Sequence, residues 1–182
     1  MTISSKIRGI ALAVCTATVL SLMIAPFSAQ AASTFSIKLN SNGKCLGISG
    51  GSTAEGTPAI LYSCNGHPDQ QWHYGNYASY NGLIYYQIVN GHNQCLGVHA
   101  GSTSPAARLV QWPCLNATHE DQYWSAPVYT NCGSSHIIFN YAATAYKNVN
   151  VITDSVDNIL NSPPFAGEYS CATQAWDLPD EP

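Results

Sequence analysis

The chain has 182 residues, with 10 acidic and 6 basic side chains and a formal net charge of −4. Only 9% of its residues are charged, and they form no basic cluster, which argues against phosphate-backbone binding because that requires massed Lys and Arg. Length allows one domain once a leader is set aside.

Residues 1–31 read as a secretory signal peptide: Lys6 and Arg8, then an uncharged apolar run from Ile10 to Ile24, then Ala29-Gln30-Ala31. The run, 15 residues long, is shorter than the ~20 needed to span a bilayer as a helix. Cys15 follows Leu12-Ala13-Val14, where bulky Val14 makes a poor lipoprotein site. Cleavage after Ala31 is expected, giving a secreted, extracellular product without membrane insertion. In it Lys38, Lys44, Arg108 and Lys147 face ten acids, a net of −6.

Residues 32–182 are expected to form a single domain built from three repeats, at about 35–80, 84–128 and 135–180. Gln-x-Trp recurs at Trp72, Trp124 and Trp176, spaced by 52 residues each time, and Asn40, Asn90 and Asn140 are spaced by 50. In the first two copies Cys45-Leu46-Gly47-Ile48 matches Cys95-Leu96-Gly97-Val98, and Asp69-Gln70-Gln71-Trp72 matches Asp121-Gln122-Tyr123-Trp124. The third copy has diverged, keeping Lys147-Asn148-Val149-Asn150-Val151, Tyr169-Ser170-Cys171 and Gln174-Ala175-Trp176. Apolar runs of three to six residues, bounded by Gly, Asn, Ser and Pro, predict short strands and turns. A unit of about 45 residues cannot bury a core alone, so the three must share one.

Cys15 aside, six cysteines remain, and an even count behind a signal peptide reads as disulfides. Cys45 with Cys64 and Cys95 with Cys114 occupy equivalent positions, each pair 19 apart. Asn148 stands where a partner for Cys171 would be, which leaves Cys132 as its expected mate. No pair has C-x-x-C spacing and the six histidines are scattered, so no metal site is expected.

Gln-x-Trp three times, Cys-Leu-x-[Ile/Val] opening the unit and an aromatic-x-Cys in its middle resemble the ricin B-type lectins. These occur also as carbohydrate-binding modules of secreted glycosidases. The resemblance covers essentially all of residues 32–182 and implies an all-β fold, a β-trefoil of twelve strands in three four-stranded units, with up to one shallow sugar site per unit. It places Tyr62, Trp112 and Tyr169 as platforms on which a sugar's C–H face stacks, or else as packing against a neighbouring loop. Gln70, Gln122 and Gln174 either face the sugar or hold a turn. The tryptophans of Gln-x-Trp belong to the core, since a buried indole removes about 150–250 Å² from water.

The family's sugar-anchoring carboxylate, two residues after the first cysteine, is replaced here by Gly47, Gly97 and Asn150. The polar residue two before the platform is likewise replaced by Ile60, Val110 and Gly167. Asp69 and Asp121, just before Gln-x-Trp, are candidates to supply the lost acceptor from the opposite wall. His67 and His119 lie in the same loops and read as solvated residues. Asn116-Ala117-Thr118 is a glycosylation sequon. The expected function is a non-catalytic, lectin-like protein binding glycans or polysaccharides through weak, multivalent sites, as a monomer without cofactor. The alternative is an interaction scaffold that has lost sugar binding.

Overall fold

In the computed structural model, residues 33–102, 107–129, 133, 135–141, 149–152, 159–162 and 175–182 are described. All lie in the compact unit Ala32–Pro182. The first repeat supplies β1 (Lys38–Leu39), β2 (Cys45–Ile48), β3 (Ala59–Tyr62) and β4 (Trp72–Tyr80). The second supplies β5 (Leu83–Asn90), β6 (Gln94–Val98), β7 (Leu109–Pro113), β8 (Tyr123–Ser125) and β9 (Val128–Tyr129). The third supplies β10 (Ser135–His136), β11 (Phe139–Asn140), β12 (Val149–Ile152), β13 (Ile159–Ser162) and β14 (Trp176–Asp177).

The fold is all-β, a β-trefoil. Its fourteen described segments correspond to twelve strands, because two are interrupted. Between β8 and β9 stands Pro127, which has no N–H for a ladder. Between β10 and β11, Ile137 turns to donate its N–H to the Pro127 carbonyl at 3.3 Å. One sheet runs β3-β2-β1-β14-β10-β9 and the other β13-β12-β11-β8-β5-β6-β7, with β4 also on β5, so both sheets cross repeat boundaries. β14 pairs with β1, joining the two ends of the domain.

Trp72, Trp124 and Trp176 are fully buried in one core with Leu46, Ile48, Leu96, Val98 and Leu109. The Trp72 indole donates to the Leu46 carbonyl at 3.0 Å and Trp124 to Leu96 at 2.9 Å. Each indole therefore removes a large apolar area from water while satisfying its only polar group inside its own repeat.

The hairpins β2–β3 and β6–β7 share a register. Cys45, Leu46, Gly47 and Ile48 face Tyr62, Leu61, Ile60 and Ala59, and Cys95, Leu96, Gly97 and Val98 face Trp112, Gln111, Val110 and Leu109. Because successive side chains alternate across a sheet, Leu46, Ile48 and Ala59 share the core face while Gly47, Ile60 and Tyr62 share the other. Disulfides Cys45–Cys64 and Cys95–Cys114, with Cα atoms 5.1 and 5.0 Å apart, tie the segment after each hairpin back to its start. Each closes a loop of 19 residues, a constraint on the unfolded chain worth about 3 kcal/mol. Cys132 and Cys171 lie outside the described residues.

Candidate functional site

On the outer face of each of these hairpins lies a cavity, about 340 Å³ in the first repeat and about 370 Å³ in the second. Their walls correspond position by position. Ile60 and Tyr62 on β3 answer to Val110 and Trp112 on β7, and Asp69 and Gln70 answer to Asp121 and Gln122. The aromatic side chains of these walls are open to solvent: Tyr62 is 57% exposed and Trp112 is 41%. Pairing puts Tyr62 opposite Cys45 and Trp112 opposite Cys95, so a hairpin edge pinned by a disulfide carries the aromatic ring. Trp112 is also backed by the first repeat. A Cβ on Gly56 would lie 3.2 Å from its ring, and the Gly56 N–H donates to the neighbouring Gln111 carbonyl at 2.9 Å.

The acidic wall is a single 3-10 turn in each repeat, Pro68–Gln70 and Glu120–Gln122. The Asp69 carboxylate swings over β2, where Oδ2 accepts the Ile48 N–H at 3.2 Å. It occupies the space that a side chain at position 47 would fill: a Cβ on Gly47 would sit 2.9 Å from Asp69 Oδ2 and 2.7 Å from Gln70 Cγ. In the second repeat the same Cβ on Gly97 would sit 3.3 Å from Asp121 Oδ2 and 3.2 Å from Gln122 Cγ. Glycine on the strand and aspartate on the turn are thus two halves of one exchange. The strand gives up its side chain, and a carboxylate from the loop takes that volume. Burial raises the pKa of Asp121 above the ordinary aspartate value, against smaller lowering effects from its own backbone N–H and from His119.

Gln70 and Gln122 hold the loops. The Asn65 N–H donates to Gln70 Oε1 at 2.9 Å while Gln70 Nε2 donates to the Ser63 carbonyl at 3.1 Å. Gln122 repeats this with Leu115 at 2.8 Å and Pro113 at 3.0 Å. Each glutamine is 1% exposed. Both glutamines line their cavities, with their amides engaged inside the loop that also carries the aspartates. The turns are also held from the following repeat. The Gly91 N–H donates to the Pro68 carbonyl at 2.8 Å, and Asn140 Nδ2 donates to the Asp121 carbonyl at 3.0 Å.

His67 and His119, read from sequence as solvated loop residues, are exposed but line the rims of the two cavities at equivalent points. Their recurrence 52 residues apart, the tryptophan spacing, was the available clue. Asn65 and Leu115 were not anticipated because they differ in chemistry, although each directly follows the second cysteine of its repeat and each donates its N–H to that repeat's glutamine. Tyr169 and Gln174, the third-repeat candidates, lie outside the described residues, as does Gly167. Asn150 is on β12, paired with Asn161.

Among known proteins, residues 26–112 match the family model described as "Ricin-type beta-trefoil lectin domain-like". The fold is similar to that of the designed three-fold symmetric protein ThreeFoil, with a TM-score of 0.60 and 22% identity over 80% of this chain and 99% of that one. The Rhizoctonia solani agglutinin is similar at a TM-score of 0.56, with 20% identity, covering 86% of this chain and 100% of the agglutinin. A 29-residue stretch is 59% identical to the probable lipoprotein EnvE of Salmonella typhimurium; it covers 16% of this chain and 17% of that protein. Three buried Gln-x-Trp indoles around one core, two hairpins paired in the same register and the family match over residues 26–112 together support a ricin B-type β-trefoil.

Proposed function

We propose that the protein is a secreted, non-catalytic carbohydrate-binding protein in which the first two repeats each carry a shallow sugar site. Tyr62 and Trp112 are the stacking platforms, and Asp69 and Asp121 accept hydrogen bonds from sugar hydroxyls. The observation that carries this reading is the paired exchange of strand side chain for loop carboxylate, made in the same way at Gly47/Asp69 and Gly97/Asp121. It keeps an acceptor facing each platform where the strand itself supplies none. A hydrogen bond to a charged acceptor contributes about 1.5–3 kcal/mol, a large part of the ~4 kcal/mol of millimolar binding.

Each site is expected to be weak, and two or more on one molecule raise avidity on a polysaccharide by about 10²–10⁴ where geometry allows. Tyr169 and Gln174 are assigned to a third site on sequence alone. No Lys or Arg lines either cavity, while each holds a carboxylate. This favours neutral or cationic saccharides over uronic or sulfated ones. The leader at residues 1–31 and the disulfides support export to an oxidising compartment.

The test is a glycan array with the folded protein of residues 32–182, run beside Trp112→Ala and Asp121→Asn. Binding to neutral glycans that weakens in both variants supports the proposal. A folded protein that binds no saccharide would show that the trefoil serves as an interaction scaffold instead.

A further inference from the structure

The two cavities share a frame but differ in one corner. Asn65 and Leu115 leave the loop at the same point, since each donates its main-chain N–H to the Oε1 of its repeat's glutamine, and each lines its cavity. Asn65 brings an amide there: its Oδ1 accepts the His67 N–H at 2.9 Å, which leaves Nδ2 available as a donor. Leu115 brings only methyl groups. The platform changes in the same sense, from Tyr62 with its hydroxyl to the larger indole of Trp112, which loop contact from Gly56 holds in place. One cavity thus has a phenol and an amide in its lining, and the other has an indole and a leucine side chain in their places.

Resting on the sugar-site reading above, we propose that the second site selects saccharides carrying a methyl group, as in a 6-deoxyhexose, while the first prefers the fully hydroxylated hexose. Leu115 and Asn65 are the residues that set this difference. A methyl seated against the indole and Leu115 leaves water, whereas a hydroxyl in the same place loses hydration that the Leu115 side chain does not replace. Burial of one such group corresponds to a preference of about fourfold, or ~0.8 kcal/mol. At the first site the sign reverses, because a deoxy sugar leaves the Asn65 amide without the hydroxyl it would serve. A chain with two unlike sites matches a polysaccharide that contains both kinds of residue better than a homopolymer.

Single-site proteins test this. Tyr62→Ala leaves the second site and Trp112→Ala leaves the first; each is titrated, with NMR detection, against galactose and 6-deoxygalactose and against glucose and 6-deoxyglucose. The expected result is a deoxy preference of about fourfold or more at the second site and the opposite order at the first. Leu115→Asn should then abolish the deoxy preference, and Asn65→Leu should create one at the first site. Equal ratios at the two sites, or ratios that neither exchange moves, would overturn the proposal, as would failure of all four sugars to bind. In that last case the wild-type glycan array separates the two readings: saccharide binding there leaves the sugar-site proposal standing, and its absence removes both.

Discussion

Trp124 and Trp112 are twelve positions apart in one repeat, and they mark two regions with opposite physics. Trp124 is 1% exposed, closed on every side by the shared core, its N–H given to Leu96. Trp112 is 41% exposed, supported from behind and open in front. The same contrast runs through β2, where Leu46 and Ile48 fill the core and Gly47 between them is kept empty so that a carboxylate can lie above it. Residue type does not separate core from cavity wall in this molecule. Which face of the strand a side chain occupies, and what covers it, does.

The comparison is broken most severely by removing an indole from the core. Trp124→Ala is expected to cost about 3–5 kcal/mol, read by denaturant unfolding, whereas Trp112→Ala should cost less than about 1 kcal/mol and remove sugar binding at the second site. If the two variants lost similar stability, the division into core and platform would be wrong. Next comes the glycine exchange. Gly47→Ala forces a Cβ against Gln70 Cγ at 2.7 Å and Asp69 Oδ2 at 2.9 Å, and overpacking of this kind costs about 1–3 kcal/mol. Gly97→Ala meets its neighbours at 3.2 and 3.3 Å and should cost less. Thermal unfolding of both variants checks the order.

A smaller effect concerns the backbone at the rim of the second cavity. Ala100 has φ of 55°, where the first repeat has Gly50 at 64°. A left-handed conformation costs a residue with a Cβ about 1 kcal/mol, so Ala100→Gly should stabilise the fold by up to that amount, measured by its unfolding midpoint. No gain would mean that the loop relaxes to accommodate the methyl.

The Asp121 pKa gives the gentlest test. Burial raises it, so the folded state holds this proton more tightly than the unfolded chain does. Stability therefore falls as pH rises through the window between the ordinary aspartate value and the higher folded one, and Asp121→Asn should flatten that slope. Sugar binding runs the other way, because the ionised carboxylate is the acceptor. At the second site, binding should fail on acidification at a pH above the ordinary aspartate range, and pH-dependent titration of the Tyr62→Ala protein reads this directly.

The β-trefoil was legible in the sequence because a shared core must be filled alike from each repeat. Fixed spacing of Trp72, Trp124 and Trp176, and of the Cys-Leu-Gly strands, is the trace of that requirement. The interruptions at Pro127 and Ile137 were not legible, since they depend on which strand lies alongside. Among the cavity-lining residues, Tyr62 and Trp112 were singled out by their place before a cysteine, and the loop aspartates by their repetition. The relation between Gly47 and Asp69 was only partly readable. Sequence showed a glycine in place of an acceptor, and only the three-dimensional arrangement shows that the glycine makes room for another one. The roles of Gln70 and Gln122 stayed open for the same reason, as a buried amide and an exposed one look alike in a string of letters.

Whether saccharides meet the outer face or the Gln-x-Trp core is read from the indole N–H signals of the four tryptophans in a ¹H–¹⁵N titration with a bound saccharide. The Trp112 signal is expected to shift with saturation while those of Trp72, Trp124 and Trp176 stay in place. Shifts centred on the buried indoles, or a still Trp112 signal at saturating sugar, would contradict this expectation.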